Sequence, residues 1–461
     1  MITLSGSIAK YPARASGLWY LAIILAGGLV LWLPISQRYN DVRFLDCLFT
    51  ATSAACVTGL YSTPRQITGA DFNLFGQFII MLLIQIGGIG IMTLTTLVTF
   101  RLRGRTRLRE RAVLAETLGA GAEVDLRWVL RNVLLATLAF EGAGFIVLTA
   151  NFLADGMPFL DAVWYGLFHA VSAFCNAGFA LPQGNLTGYQ ANVTVNVTIM
   201  VLIVCGGIGF PVMLDLRRQR RRGWNALWER LHLHSKLMFV GTAILLTLGT
   251  LILSVFEWDE QVMAGMPWWK KLMVGTFHSV SCRTAGFNTV DIGQLTNASL
   301  FAMILLMMVG AGPCSTAGGF KVSTLMTLVC RAWASFHGRR VVNVFRRTIP
   351  QVAIERAGVT ALLYSVVAAL GLTALLAIEQ SHRGETDPKG LFLEGLFEVY
   401  SALGTVGLST GLTPRLTDLG KLVIMALMLV GRLGPITAFA ALSRTGRDHP
   451  LEHPQEEPLI G

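Results

Sequence analysis

Apolar runs of two lengths alternate along the chain. A helix of about 20 apolar residues can cross the roughly 30 Å hydrocarbon core of a bilayer, and one of about 14 cannot. Long runs occupy residues 17–36, 74–100, 128–153, 193–216, 237–256, 300–329, 353–378 and 416–442. Short runs occupy residues 42–55, 158–174, 267–281 and 390–402, one inside each of the four couples of long runs taken in turn. Each short run ends in a related phrase: FTATSAACVTGL at 49–60, FHAVSAFCNAGF at 168–179, FHSVSCRTAGF at 277–287 and FEVYSALGTVGL at 397–408. A Ser is followed five or six positions later by a Gly, and those glycines, Gly59, Gly178, Gly286 and Gly407, are spaced by 119, 108 and 121 residues. A period near a quarter of the chain predicts four copies of one unit. The unit reads span, half-helix, Gly-containing loop, span, over residues 1–111, 112–230, 231–345 and 346–461, the last with a C-terminal tail. The pattern therefore predicts an all-α membrane protein with eight transmembrane helices and four re-entrant loops around a pseudo-fourfold central pore.

Composition agrees with that reading. Of 461 residues, 53% are hydrophobic and 14% are charged, against about a quarter charged in soluble domains. The net charge of +10 does not point to nucleic acid, because the basic residues cluster in short loops between apolar runs. Arg101, Arg103, Arg105, Arg107, Arg109 and Arg111 follow the first unit, Arg217–Arg222 the second, and Arg331, Arg339, Arg340, Arg346 and Arg347 the third. Basic loops face the cytoplasm, so both termini are expected inside, with the re-entrant phrases dipping in from outside. Arginine density beyond what topology needs leaves anionic lipid or a soluble partner as candidates for these loops. The first run, 17–36, reads as a span rather than a cleavable signal, with Trp19, Tyr20 and Trp32 as interfacial aromatics. Seven scattered cysteines without CxxC spacing predict neither a disulfide framework nor a zinc site.

The chemistry lies in the phrases. Irregular backbone at membrane depth is tolerated where it is buried in protein or lines a water-filled path. Loops that meet around one axis can offer rings of carbonyl oxygens that replace the hydration shell of an alkali cation. A half-helix entering from outside points its partially negative C-terminus at that axis. The expected lining is Cys56, Val57, Thr58 and Gly59; Cys175, Asn176, Ala177 and Gly178; Arg283, Thr284, Ala285 and Gly286; and Gly404, Thr405, Val406 and Gly407. Non-identical loops predict potassium favoured over sodium, less strictly than in a filter of identical subunits. The competing reading of such glycines is close packing in a helix bundle, and their recurrence in one frame argues against it.

These phrases resemble the pore-loop signatures of the bacterial Trk/Ktr potassium-uptake superfamily, with its plant HKT relatives, and the frame is most like the KtrB-type pore-forming subunit. The resemblance covers nearly the whole chain. It implies potassium uptake across the bacterial inner membrane, with potassium held at Val57, Thr58, Asn176, Ala177, Thr284, Ala285, Thr405 and Val406. It implies a homodimer with one pore per subunit. It also implies a separate cytosolic ring of nucleotide-binding RCK-type regulatory subunits, KtrA-like or TrkA-like. No covalently bound cofactor is expected.

Gly310, Gly312, Pro313, Ser315, Thr316, Gly318 and Gly319 break the second span of the third unit, since Gly and Pro at this density cannot hold a helix. This stretch is similar to the family's intramembrane gate loop; the alternative is a packing kink. Arg432, alone in an apolar run, is expected to face a cavity or partner. It matches the family's pore arginine and is expected to act as barrier or gate, or to pair with carbonyls of the broken helix. Arg283 is expected to brace the filter from behind. His169 and His278 are read as hydrogen-bonded residues of the half-helices, and Glu141 as a buried acid whose partner the sequence does not name. Lys321 is expected near the loop. The close alternative is a sodium-coupled potassium or sodium symporter on the same scaffold, with sodium as coupling or regulatory ion. An intramembrane enzyme is a remote one, because no HExxH, GxSxG or paired intramembrane aspartates occur.

Overall fold

The computed structural model describes residues 12–63, 65, 68–90, 126–220, 226–383 and 388–434. In chain order the first quarter folds as α1 (Pro12–Trp32), α2 (Phe44–Ala55) and α3 (Leu74–Ile89). The second gives α4 (Leu126–Ala154), α5 (Phe159–Phe174), α6 (Val193–Gly207) and α7 (Phe210–Arg220). The third gives α8 (Leu233–Phe256), α9 (Trp268–Ser281), α10 (Asn297–Met308) and α11 (Val322–Phe336). A short antiparallel hairpin, β1 (Asn343–Val344) with β2 (Arg347–Thr348), leads to α12 (Gln351–Arg383), α13 (Pro388–Gly404) and α14 (Asp418–Leu433). The basic stretch 101–111, Arg221, Arg222 and the tail after Ser443 lie outside the described residues.

Among the described residues, Arg131–Ala154, Leu233–Phe256 and Gln351–Ser381 are long and apolar enough to cross a membrane. The second long run of the first, second and fourth quarters departs from the continuous span its hydropathy predicts, and that of the third breaks where its glycines and Pro313 predict. Helix α3 stops at Ile89, α6 and α7 meet at 94°, α10 and α11 are parted by residues 309–321, and α14 stops at Leu433. Residues 91–100 and 435–442 of the expected spans lie outside the described residues. The physical cause is local: Gly90, Gly209 and Gly434 have φ of +83°, +98° and +82°, a left-handed turn that ends a helix and that glycine enters without steric cost. Each closes a related four-residue word, GGIG at 87–90, GGIG at 206–209 and GRLG at 431–434. That second internal repeat is absent from the reading of the phrases alone.

Polar caps fix where the second helices begin. The side chains of Asn73, Asn192, Thr296 and Thr417 accept N–H bonds from the first turns of α3, α6, α10 and α14, satisfying donors that would otherwise be orphaned. Two of these caps are tied to the preceding long helix. Glu257, following α8, accepts from Thr296 N and Oγ1 at 2.9 and 2.7 Å, and Glu379 of α12 accepts from Thr417 N and Oγ1 at 2.9 and 2.8 Å. The short helices α2, α5 and α9 bury almost their whole C-terminal halves, unlike the lipid-facing long helices, whose Leu138, Ile146, Leu251 and Leu362 are exposed.

The first and last quarters are joined by a buried ion pair: Lys421 Nζ of α14 donates to Asp46 Oδ1 of α2 at 2.7 Å, each residue 3% exposed. Asp46 Oδ2 also accepts from the exposed Arg43 Nε at 3.1 Å, so loss of Lys421 leaves the carboxylate one cation and costs less than the roughly 3–5 kcal/mol of a fully stranded buried charge. Lys421→Met is expected to lower the midpoint of thermal unfolding in detergent, and Asp46→Asn with Lys421→Met to recover part of the loss. An unchanged midpoint in the single variant would show that the pair is not structural.

Candidate functional site

The repeated phrases converge. Helices α2, α5 and α9 each end at the residue before Cys56, Cys175 and Cys282, and α13 ends at Gly404. Beyond each end the backbone takes the same path. Val57, Asn176, Thr284 and Thr405 have φ of +56°, +59°, +69° and +51°, and two positions later Gly59, Gly178, Gly286 and Gly407 have φ of +96°, +71°, +76° and +93°. Alternate left-handed residues swing successive peptide units in opposite senses, a strained path that persists only where the surroundings hold it.

The loops touch in chain order and close on themselves. A Cβ built on Gly59 would lie 2.5 Å from Ala177 O, one on Gly178 2.8 Å from Ala285 O, and one on Gly286 2.5 Å from Val406 O; one on Gly407 would strike Thr58 O. The residues that precede the glycines therefore aim their carbonyls at the neighbouring loop, and no side chain fits at any of these glycines. All sixteen expected lining residues except Arg283 are less than 2% exposed or are glycines of this ring and its approach.

Behind the loops, each phrase's serine holds the turn, in two ways. Ser53 and Ser401 accept from Gly59 N and Gly407 N at 3.0 and 3.1 Å. Ser172 and Ser281 donate to Phe179 O and Phe287 O at 2.7 and 2.5 Å. The third phrase is one residue shorter, and the structure absorbs this in the turn: Ala285 N bonds Ser281 O, where Thr58, Ala177 and Val406 bond carbonyls five residues back. Ser401→Ala leaves the Gly407 N–H without that acceptor. A buried unsatisfied donor costs about 1–3 kcal/mol, so the variant is expected to lower the midpoint of thermal unfolding in detergent; an unchanged midpoint would show that this bond does not hold the turn.

The half-helix histidines behave as expected in α5 and α9. Nδ1 of His169 and of His278 lies 2.7 and 2.9 Å from the carbonyls of Tyr165 and Val274, and Nε2 of His169 accepts from Leu181 N at 3.4 Å. Among the described residues no group of three or more His, Cys, Asp or Glu could hold a metal ion.

The broken segment 309–321 lies against one end of the ring. Gly310 is in van der Waals reach of the Thr284 methyl at 3.3 Å, Gly318 abuts the Thr405 side chain, and Gly319 approaches Gly404 O at 3.0 Å, each measured from an ideal Cβ. It is pinned from several sides. Gly312 N and Thr316 N donate to Gly207 O and Gly206 O at 2.8 and 3.3 Å, Phe210 N donates to Cys314 O, and Thr316 Oγ1 donates to Phe174 O at 3.1 Å. Gly310 N bonds Phe320 O at 2.8 Å, which draws the two sides of the segment together. Lys321 Nζ donates to Ala317 O and Gly318 O at 2.8 and 2.9 Å. Pro313 and Ser315 are half-buried in its middle, where Ser315 Oγ accepts from Ala317 N at 3.2 Å.

Two arginines reach this segment. Arg283, 6% exposed, donates to Gly310 O at 3.0 Å, so it links its loop to the broken helix below. Arg432 donates to Thr316 O at 2.5 Å, to Gly87 O, and through Nε to Tyr20 Oη at 3.2 Å. Tyr20 is 3% exposed, so it is a partner of Arg432 and not the interfacial anchor that its place in the run predicts; Trp32, 51% exposed, fits that role.

Arg432 stands at the second position of the GRLG word, where the other two words have Gly88 and Gly207. The first glycine of each word packs on a carbonyl at the C-terminal end of the short helix in its own quarter: Gly87 on Ala55 O, Gly206 on Phe174 O and Gly431 on Leu403 O. The second faces the next quarter, Gly88 against Cys175 and Gly207 against Ala311. Arginine thus takes a place that the fold otherwise keeps for glycine, with its side chain directed at neighbouring backbone.

Glu141 finds the partners that the sequence leaves open. Its Oε2 accepts from Gln85 Nε2 at 3.1 Å, and the Cys175 thiol lies 3.7 Å from its Oε1 and 3.5 Å from Gln85 Oε1.

Residues 22–445 match the family model described as TrkH, cation transport protein. The chain is 34% identical to Ktr system potassium uptake protein B of Bacillus subtilis over 98% of this chain and 97% of that protein. It is also 34% identical to Ktr system potassium uptake protein B of Vibrio alginolyticus, over 96% and 93%. Identity to the potassium/sodium uptake protein NtpJ of Enterococcus hirae is 35%, over 98% and 97%. Among solved structures, the potassium transporter TrkH from Vibrio parahaemolyticus superposes with a TM-score of 0.68 at 18% identity, covering 92% of this chain and 82% of that one.

Proposed function

The chain belongs to the TrkH family of cation transport proteins, and from that premise we propose that it takes up potassium through a carbonyl-lined filter built from its repeated loops. It is a membrane transport protein, and its relatives are named as transporters, not enzymes. The observation that carries the filter reading is the closed circuit of Gly59, Gly178, Gly286 and Gly407, each facing the carbonyl that precedes the next glycine. In this reading the span–half-helix–loop–span repeat builds a pseudo-fourfold pore of eight spans. Potassium sheds water against the backbone oxygens of Val57, Thr58, Asn176, Ala177, Thr284, Ala285, Thr405 and Val406. Four different sequences line the ring, so potassium is preferred over sodium without the strictness of identical loops.

The segment from Gly310 to Gly319 is the gate, held shut by Arg432 and steadied by Arg283 and Lys321. A homodimer in the bacterial inner membrane, both termini cytoplasmic, meets a cytosolic nucleotide-binding ring on its arginine-bearing loops. Exposure of Arg217, Arg218, Arg339, Arg340, Arg346 and Arg347 supports such a surface, as it does contact with anionic lipid. Uptake in this account is driven by the membrane potential. The potassium/sodium name of the Enterococcus hirae relative favours a second reading on the same scaffold, sodium-coupled symport.

The test is growth of potassium-uptake-deficient bacteria at low external potassium, with the chain expressed alone and with a ring partner, with and without sodium. Rescue supports potassium uptake, and a strict sodium requirement favours symport. Failure to rescue from well-inserted protein in every condition overturns both.

A further inference from the structure

Glu141 sits inside the long apolar helix α4, 6% exposed. A carboxyl at membrane depth is costly and is kept where its contacts matter. Its hydrogen-bonding partners here are neutral, the Gln85 amide and the Cys175 thiol. They come from two different quarters of the chain. Gln85 lies one turn before the glycine break of α3, and Cys175 opens the second loop of the ring.

Both partners continue into a closed circuit of contacts. Two residues after Gln85, the Gly87 carbonyl receives Arg432. Arg432 also holds Thr316 O of the broken segment, and Thr316 Oγ1 donates to Phe174 O, the residue before Cys175. Gly88 packs directly on the Cys175 side chain. The carboxyl, the second loop, the end of α3, the arginine and the broken segment therefore form one loop of touching groups.

We propose that Glu141 is a positioning residue for permeation: through Gln85 and Cys175 it sets the second filter loop and the α3 end on which Arg432 is seated, so one buried carboxyl governs both ion selectivity and the hold on the gate. This inference rests on the potassium-uptake reading above. Gln at position 141 keeps the size and the amide-accepting oxygen, whereas Ala removes both and leaves Gln85 Nε2 without its buried partner.

The experiment measures potassium and sodium uptake in parallel for wild type, Glu141→Gln, Glu141→Ala, Gln85→Ala and Glu141→Ala with Arg432→Ala, in potassium-uptake-deficient bacteria, normalised to membrane abundance. Glu141→Ala and Gln85→Ala are expected to lower the potassium-to-sodium ratio by about tenfold, as loss of a buried hydrogen-bonded contact allows. Glu141→Gln is expected to keep most of the ratio. The flux gained by Arg432→Ala is expected to combine non-additively with Glu141→Ala, as for groups in one network. Unchanged ratios per inserted molecule in both alanine variants, with additive effects, overturn the role of Glu141 while the wild-type flux keeps the uptake reading. Absence of potassium flux in the wild type overturns the uptake reading itself, and this inference with it.

Discussion

Gly286→Ser is expected to abolish most of the potassium preference. The backbone at Gly286 has φ +76°, and a Cβ there would stand 2.5 Å from Val406 O and 3.1 Å from the Gly178 Cα. Real side chains do not tolerate such approach, so the third loop must retreat or the fourth must turn its carbonyl aside. A left-handed non-glycine residue adds of order 1–2 kcal/mol of strain. Either movement unseats one carbonyl of the ring, and selectivity depends on the number and placement of those dipoles. The expected result is a fall in the potassium-to-sodium uptake ratio on the order of tenfold or more, a loss of about 1.4 kcal/mol of discrimination or greater, with protein still present in the membrane. The corresponding changes at Gly59, Gly178 and Gly407 should act in the same direction, because each faces the next loop in the same way. A Gly286→Ser variant with wild-type ratio and affinity would remove the ring from the mechanism.

Arg432→Ala is expected to raise flux and to weaken dependence on a regulatory partner. The side chain joins the broken segment at Thr316 to α3 at Gly87 and to α1 at Tyr20. Hydrogen bonds from a charged donor contribute about 1.5–3 kcal/mol each, so losing even two that exist only in the closed state shifts a closed–open equilibrium by roughly a hundredfold or more. The segment keeps its other ties, Gly312 to Gly207, Thr316 to Gly206 and Phe174, and Arg283 to Gly310, so it is expected to loosen rather than unfold. Uptake rate per inserted molecule, measured with and without the ring partner, checks this. A fall in rate with unchanged abundance would mean that Arg432 assists conduction instead of opposing it.

Much of this architecture is legible in the chain. Runs 128–153, 237–256 and 353–378 lie within α4, α8 and α12, and the half-helix of 158–174 is α5 within one residue. Length and apolarity decide such elements before any tertiary contact is made. The turn at each loop was marked by its glycine, since only glycine suits the left-handed place that faces a neighbouring backbone. Its companion, the left-handed Val57, Asn176, Thr284 and Thr405, carries no residue signature, because the strain there is imposed by the closed ring.

What hydropathy hides is the break in the second helices of the first, second and fourth quarters. GGIG and GRLG are apolar enough to read as span, yet their last glycine turns left-handed, and only the recurrence of the word at 87–90, 206–209 and 431–434 signals a shared device. Partners distant in the chain were equally hidden. Nothing local ties Glu141 to Gln85, Arg283 to Gly310 or Tyr20 to Arg432, since these pairs are 56, 27 and 412 positions apart. Tyr20 shows the ambiguity most plainly, as an aromatic near the end of an apolar run serves an interface or a buried polar contact, and the sequence weighs both alike.

If the repeated loops hold potassium, rubidium takes its place there. Crystals of the purified protein soaked with rubidium in place of potassium, with anomalous scattering recorded at the rubidium edge, test it most directly. Peaks are expected on the axis between the loops, beside the carbonyls of Thr58, Ala177, Ala285 and Val406, and are expected to weaken in Gly286→Ser. Rubidium bound elsewhere, with none among these loops in protein that carries rubidium flux, would contradict it.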